Sequence, residues 1–130
     1  MKLSDYIAKK VSTYTNYAFT GQGGSVVHIN DSLSKEKKIK IIPAQNEQGA
    51  SLAADAFYRA SGKIGLVVAT SGPGILNTLQ GMACSYYDSI PGLYLSGAPV
   101  TGSIKKSKKL RQLGFQEMEV VDIVRSFTKY

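Results

Sequence analysis

Short apolar runs alternate with amphipathic stretches along this chain of 130 residues. Runs of about four apolar residues predict buried strands, and apolar residues spaced by three or four predict helices. The predicted strands are Tyr17–Thr20, 39–42, Leu66–Ala69 and Leu93–Ser96, with a further strand near 127–130. The predicted helices are an amphipathic first helix carrying Leu3, Ile7 and Val11, then 25–33, 47–60, 75–87 and a short one over 120–126.

The alternation of strands with helices predicts the fold class. Strands separated by helices at this spacing favour an α/β fold with a doubly wound, mostly parallel sheet flanked by helices. The chain contains no repeat, low-complexity linker or internal boundary, so residues 1–130 are expected to form a single domain. A hydrophobic content of 43% suits a domain with a modest core.

The formal net charge of +7 raises the question of nucleic-acid binding. Five basic residues crowd one segment: Lys105, Lys106, Lys108, Lys109 and Arg111. No aromatic residues are interleaved with them for base stacking, and charge runs in loops are usually solvated. We therefore expect a solvated loop and no specific nucleic-acid partner, with a specific anion site as the alternative.

Cys84 is the one cysteine, so an intramolecular disulfide is impossible and a reducing, cytoplasmic location is expected. We predict a small buried side chain for Cys84 on the fourth helix. His28, the one histidine, has no Ser, Cys or His partner by spacing, which favours a helix-surface or core role over catalysis. No apolar run suits a signal peptide or a membrane span, so no membrane partner is expected.

Glu47 is the first candidate for chemistry. It lies where the strand 39–42 leads into an Ala-rich helix, at the carboxyl edge of a parallel sheet, where open α/β folds bind ligands. The alternative is that Glu47 only complements the dipole of the helix that it begins.

A second candidate is the turn of Gly72, Pro73 and Gly74 after the strand Leu66–Ala69. Glycine lets the backbone approach a ligand closely, and proline suits a first helical turn. The turn alone is a weak signal, because it lacks the spacing of a P-loop or a dinucleotide fingerprint.

Five blocks together resemble, in order and spacing, the pyrimidine-binding (PYR) domain of thiamine diphosphate enzymes. They are residues 46–50, 53–62, 70–78, 88–91 and 115–117. The resemblance covers residues 3–130, and its nearest likeness is to acetolactate synthase. It implies an enzyme of 2-keto acids that uses thiamine diphosphate, and it leaves carboligation and decarboxylation both open.

The resemblance implies a role for each candidate residue. Glu47 would hydrogen-bond N1′ of the aminopyrimidine and favour the imino tautomer that removes the C2 proton of the thiazolium. The other residues divide into two groups. Those implied beside the cofactor are Gly23, Gly24, Gly72, Pro73, Gly74 and Asn77. Those implied on the substrate side are Phe115 and Gln116. For Gly23 and Gly24 the alternative is a helix start, and for Phe115 and Gln116 an ordinary loop.

Two places depart from acetolactate synthases. This chain has Gly21-Gln22 where they commonly carry Tyr-Pro, and Asn46 where they carry His. The resemblance therefore assigns no cofactor or substrate contacts to Gly21, Gln22 or Asn46. Asn46 is more like the decarboxylase branch, whereas Gln48-Gly49 and the turn at 70–74 are more like the synthase branch.

The family also needs a pyrophosphate-binding domain, whose Gly-Asp-Gly loop begins a site for Mg²⁺. No such loop occurs in this sequence, so the resemblance implies that a partner chain holds the metal and the diphosphate. It also implies that the last helix and strand of the PYR fold are missing. We expect a homodimer, or a heteromer with a pyrophosphate-binding subunit. The alternative is a non-catalytic interaction module or a remnant of such an enzyme.

Overall fold

The computed structural model describes residues 1–107 and 109–129. Its four strands form one sheet in the order β2-β1-β3-β4, and every neighbouring pair is parallel. The strands are β1 Tyr17–Thr20, β2 Lys40–Pro43, β3 Leu66–Ala69 and β4 Leu93–Ser96. The predicted α/β fold with a mostly parallel sheet is confirmed.

Helices alternate with these strands along the chain. They are α1 Leu3–Val11, α2 Val27–Lys35, α3 Glu47–Ser61, α4 Pro73–Leu76, α5 Leu79–Tyr87 and α6 Val120–Val124. Short 3₁₀ turns at Gly24–Val26 and Thr101–Ser103 precede α2 and the loop that leads to α6.

The central strand β3 explains why helices cover both faces of the sheet. All four of its residues are completely buried. Leu66 and Val68 pack with residues of α1 and α2, whereas Val67 packs with α3 and Ala69 with α5. Because side chains alternate along a strand, four consecutive apolar residues require an apolar layer on each face. The sheet is therefore doubly wound.

Several predicted elements differ in the structure, including the helices 47–60 and 120–126, which run over Glu47–Ser61 and Val120–Val124. The helix 75–87 is interrupted at Asn77 and Thr78, where the Thr78 hydroxyl donates to the Ile75 carbonyl at 2.6 Å and competes with regular helical bonding. The 25–33 helix begins with the 3₁₀ turn, and the 39–42 strand is shifted by one residue.

The predicted strand near 127–130 is wrong for residues 127–129, and Tyr130 lies outside the described residues. The Phe127 amide donates to the Val124 carbonyl at 3.1 Å, and the Thr128 hydroxyl donates to the same carbonyl at 3.0 Å. Phe127 packs against the cluster of Ala69, Ile75 and Met82. Bonding back onto α6 thus replaces strand pairing.

Candidate functional site

The predicted site lies at the carboxyl edge of the sheet, around β1 and β3. These neighbouring strands lead into α2 and α4, which pack with opposite faces of the sheet. Connections that diverge in this way leave a crevice outside the strand ends, which is where open α/β sheets bind ligands. The structure brings the turn after β1, the start of α3 and the turn after β3 to this edge.

Glu47 is the first residue of α3, but it does not cap that helix. The cap is Asn46, whose side-chain oxygen accepts a hydrogen bond from the Gly49 amide at 2.7 Å. Asn46, one of the departures from acetolactate synthase, therefore has a helix-capping role of its own. The Glu47 carboxylate is left for contacts outside its own helix.

The half-buried Glu47 carboxylate is hydrogen-bonded to a neutral side chain. Its Oε2 atom accepts a hydrogen bond from Asn77 Nδ2 at 3.1 Å. Within residues 1–107 and 109–129, no lysine or arginine forms an ion pair with Glu47. A carboxylate with one amide donor and no cation keeps acceptor capacity for a ligand.

Two glycines make room for the Glu47 side chain. A Cβ atom on Gly21 would lie 3.0 Å from Glu47 Cγ and 3.2 Å from Oε1. A Cβ on Gly74 would lie 3.5 Å from Oε1 and only 2.4 Å from Thr70 Cγ2. Both glycines are buried, so the Glu47 side chain packs directly against their backbone with Oε1 close to each. The sequence marked Gly21 only as a departure from acetolactate synthases. Its position directly after β1 was the signal that it belongs to the site.

The turn after β1 packs against the end of β3. A Cβ on Gly23 would lie 2.3 Å from Thr70 Cβ, so this position requires glycine. The Ser25 and Thr70 hydroxyls are 2.8 Å apart, and the Ser71 amide donates to Ser25 Oγ at 2.9 Å. Gly24, in contrast, is exposed, and a Cβ there would meet nothing within 4 Å.

The substrate-side pair lies against the turn of Gly72. Gly72 has a φ of 64°, and a Cβ there would lie 2.4 Å from the Gln116 carbonyl oxygen. Gln116 itself has a φ of 50°, which is uncommon for a residue other than glycine. Phe115 next to it is 81% exposed. The structure therefore brings Gln116 against Gly72 in the turn at 72–74, and Phe115 lies exposed next to it.

A buried acid holds the loop that precedes this pair. The Glu117 carboxylate accepts hydrogen bonds from the backbone amides of Lys105, Leu113 and Gly114, at 2.8, 2.9 and 3.2 Å. The Leu113 amide is the main cause that lowers the pKa of Glu117, with the Lys105 and Gly114 amides adding to it and desolvation opposing it. Lys105 also pairs with Glu119 at 3.0 Å. One basic residue of the segment is thus half-buried and structural; Lys108 lies outside the described residues.

Two of the five sequence blocks serve the framework. Asp55 is buried on α3, where Arg59 and the Ser85 hydroxyl donate to it at 2.5 and 2.7 Å, and Arg59 also pairs with Asp88 at 2.6 Å. Arg59 is the main cause that lowers the pKa of Asp55. This network joins α3 to the end of α5, so Asp55 and Arg59 in block 53–62 and Asp88 in block 88–91 have structural roles.

The remaining chemistry-bearing residues lie away from Glu47. Cys84 is exposed, so its predicted burial is wrong: α5 turns Met82 and Ser85 inward and Cys84 outward. His28 is exposed on α2. Among residues 1–107 and 109–129, no three His, Cys, Asp or Glu side chains are grouped to hold a metal ion.

Two cavities flank α5. One of about 380 Å³ is lined by Asn46, Gln48, Leu76, Asn77 and Gln80, and so adjoins the partner of Glu47. A larger one, about 830 Å³, opens at the amino end of β4 and contains none of the predicted site residues. No helix of the described part is long and apolar enough to cross a bilayer.

Comparison with known proteins shows the family to which this chain belongs. Residues 1–124 match the family described as thiamine pyrophosphate enzyme, N-terminal TPP binding domain. The chain belongs to this family, and it is a PYR domain similar to that of acetolactate synthase.

Three relatives illustrate the similarity. Acetolactate synthase 2, chloroplastic, of Brassica napus is 34% identical over 112 residues, which are 86% of this chain and 17% of that protein. The acetolactate synthase large subunit of Lactococcus lactis is 39% identical over 108 residues, or 83% and 18%. The isozyme 3 large subunit of Escherichia coli gives the same identity and shares. The chain thus spans less than a fifth of the length of these relatives.

Proposed function

We propose that this chain is the PYR half-site of an acetolactate synthase-like enzyme of 2-keto acids. Glu47 is its catalytic residue, placed to hydrogen-bond the aminopyrimidine of thiamine diphosphate. One observation supports this most: a half-buried carboxylate at the switch point has one neutral amide partner and, on its other side, two glycines. A carboxylate that is not paired with a cation keeps acceptor capacity for a ring nitrogen.

The residues present fit the group. Glu47 offers a carboxylate with acceptor capacity to spare, and the absence of a Cβ at Gly21 and Gly74 lets that carboxylate lie against their backbone. When bound, thiamine diphosphate supplies a carbon nucleophile that adds to the carbonyl of a 2-keto acid. Glu47 would share a proton with a ring nitrogen. Gly72, Pro73 and Gly74 would form the turn beside the pyrimidine, and Gly23 with Gly24 would form the turn after β1. Phe115 and Gln116 close the substrate side.

The diphosphate and its Mg²⁺ belong, in this proposal, to a separate pyrophosphate-binding domain. The relatives are longer proteins of which this chain matches less than a fifth. Hard-cation sites need several convergent oxygen ligands, and the carboxylates nearest to the site, Glu47 and Glu117, are bonded to neutral amide and backbone donors. We further propose a cytoplasmic location, which a lone unpaired cysteine supports.

The test of the catalytic role is Glu47→Gln in the presence of a complementary pyrophosphate-binding chain. Glutamine keeps the shape but cannot share the proton, so exchange of the cofactor C2 proton should slow by about 100-fold or more. Proton NMR in deuterated buffer measures this exchange, and circular dichroism should show an unchanged fold. Unchanged exchange in the variant would mean that Glu47 does not have this role.

The proposed assembly uses a strip of exposed residues on the two helices behind the site, the α3–α5 face. It consists of Gln48, Leu52 and Ala56 on α3 with Gln80, Cys84 and Tyr87 on α5. Among the small and apolar residues of these two helices, Ala50, Ala54 and Met82 are buried in the chain's own core. Ala53, Ala56, Leu79 and Ala83 keep exposed area, and Leu52 is 39% exposed.

We predict that the chain forms a homodimer through the α3–α5 face, or a heteromer when the pyrophosphate-binding subunit is present. In analytical ultracentrifugation at micromolar concentration the chain should sediment as a dimer. Leu52→Glu should shift it to monomer because it buries a charge in the contact. Val27→Glu, at an exposed valine on α2, is the matched control. A well-folded wild-type monomer would contradict the prediction.

A further inference from the structure

The Asn77 side chain has one described hydrogen bond, and its partner is the proposed catalytic acid Glu47. The residue lies at the break between α4 and α5. Its backbone amide donates to the Pro73 and Gly74 carbonyls at 3.1 and 3.2 Å, which already completes the end of α4. The side chain is therefore not needed as a helix cap, and its Nδ2 atom donates to Glu47 Oε2 at 3.1 Å.

The two oxygens of Glu47 have different surroundings. Oε2 accepts from Asn77, whereas Oε1 lies toward the backbone of Gly21 and Gly74. A carboxylate on a flexible side chain exchanges its oxygens by rotation unless one is held. The amide donor is neutral, so it fixes the orientation of the acid without pairing its charge with a cation.

The backbone that carries Asn77 is itself fixed. Thr78, the next residue, is completely buried, and its hydroxyl is bonded to the Ile75 carbonyl. On this fixed backbone the Asn77 side chain reaches Glu47 at the start of α3.

We infer that Asn77 is a positioning residue: its amide holds Oε2 of Glu47 and so presents Oε1 to the aminopyrimidine. This assignment rests on the proposed function and replaces direct cofactor contact as the role of Asn77. Asn77→Asp separates positioning from packing, because aspartate has nearly the same shape but, when ionised, cannot donate a hydrogen bond. It also sets two carboxylates side by side, which repel each other.

The contact is tested first in the isolated chain, without cofactor. The side-chain amide resonances of Asn77 should move in Glu47→Gln, whereas those of Asn16, an exposed asparagine before β1, should not. Asn77 resonances that are the same in wild type and Glu47→Gln would overturn the inference, whatever the chain binds.

The second arm uses thiamine, which carries the aminopyrimidine without the diphosphate, with the Gly74 amide resonance as the reporter. Asn77→Ala should weaken binding by about three- to tenfold, and Asn77→Asp by at least as much. Asn16→Ala is the matched control. Binding lost in Glu47→Ala but retained in Asn77→Asp would overturn the inference alone. Binding unchanged in Glu47→Ala, which removes every hydrogen bond of this side chain, would overturn the proposed function, and with it the inference.

Discussion

Two acids at the same edge of the sheet, Glu47 and Glu117, differ in how fully their hydrogen-bonding capacity is used. Glu117 accepts from three backbone amides and is buried. Glu47 is half-buried and accepts from a single side-chain amide, with glycines beside its other oxygen. An acid whose bonds are all made within the chain stabilises a loop, and one that is left partly unpaired at a crevice is available to a ligand.

The same contrast applies to the segments that carry the two acids. The region around Glu47 consists of strand ends and helix starts joined by close backbone contacts at Gly21, Gly23 and Gly74. The region around Glu117 is a loop with much exposed apolar surface, including Phe115 at 81% and Val100 at 74%. The two regions meet where Gly72 touches Gln116.

The strongest way to break this arrangement is at that meeting point. Gly72→Ala places a methyl group against the Gln116 carbonyl at a residue with positive φ, and should destabilise the fold by about 3 kcal/mol. Gly62→Ala is the matched control: Gly62 has a φ of 67° but open space around it, so only about 1 kcal/mol is expected. Thermal unfolding followed by circular dichroism measures both. Equal losses would mean that the contact with Gln116 contributes nothing.

Substitution of each acid by glutamine should have a smaller effect on stability, and this effect should differ between Glu117 and Glu47. Glu117→Gln should lower the unfolding midpoint and expose the loop to protease, because three backbone amides lose a charged acceptor. Glu47→Gln, the matched control, should leave both measurements near the wild-type values. A Glu47→Gln variant that is destabilised as much as Glu117→Gln would remove the distinction between them.

Lowering the pH should destabilise the region around Glu117. Its pKa in the folded chain is below the ordinary value of 4.5, so its bonds stabilise the fold above that pH. The contribution is lost as the pH falls from about 4.5 through the lower folded value, when the carboxylate takes up a proton. The slope of stability against pH in this window should be shallower in Glu117→Gln, measured by denaturant unfolding at each pH. An unchanged slope would contradict the assignment.

The smallest expected effect is that of the cofactor on the isolated chain. Thiamine diphosphate should bind weakly and without dependence on Mg²⁺, because the diphosphate and metal contacts are assigned to another domain. Calorimetry with and without Mg²⁺ measures this, and NMR should show shifts near Glu47 but not near Glu117. Tight, metal-dependent binding would reveal a site for the diphosphate within this chain.

The sequence by itself determined the layered fold, and it predicted Glu47 as the candidate acid. Four apolar residues in a row specify β3, because a strand buried on both faces tolerates no polar position. The strands Tyr17–Thr20, Leu66–Ala69 and Leu93–Ser96 were predicted with the bounds that the structure shows. Glu47 was marked by its place between a strand and a helix, which is local information.

Tertiary structure decided which residues meet Glu47 and which acids are structural. Asn77 reaches Glu47 across 30 positions of sequence, through the packing of separate elements at the edge of the sheet. The spacing of apolar residues does not reveal that a buried hydroxyl competes with a helical hydrogen bond. Nor does it reveal that Cys84 faces outward on α5. Contacts between distant positions depend on how helices pack on the sheet, and that packing is a property of the whole chain rather than of any window of it.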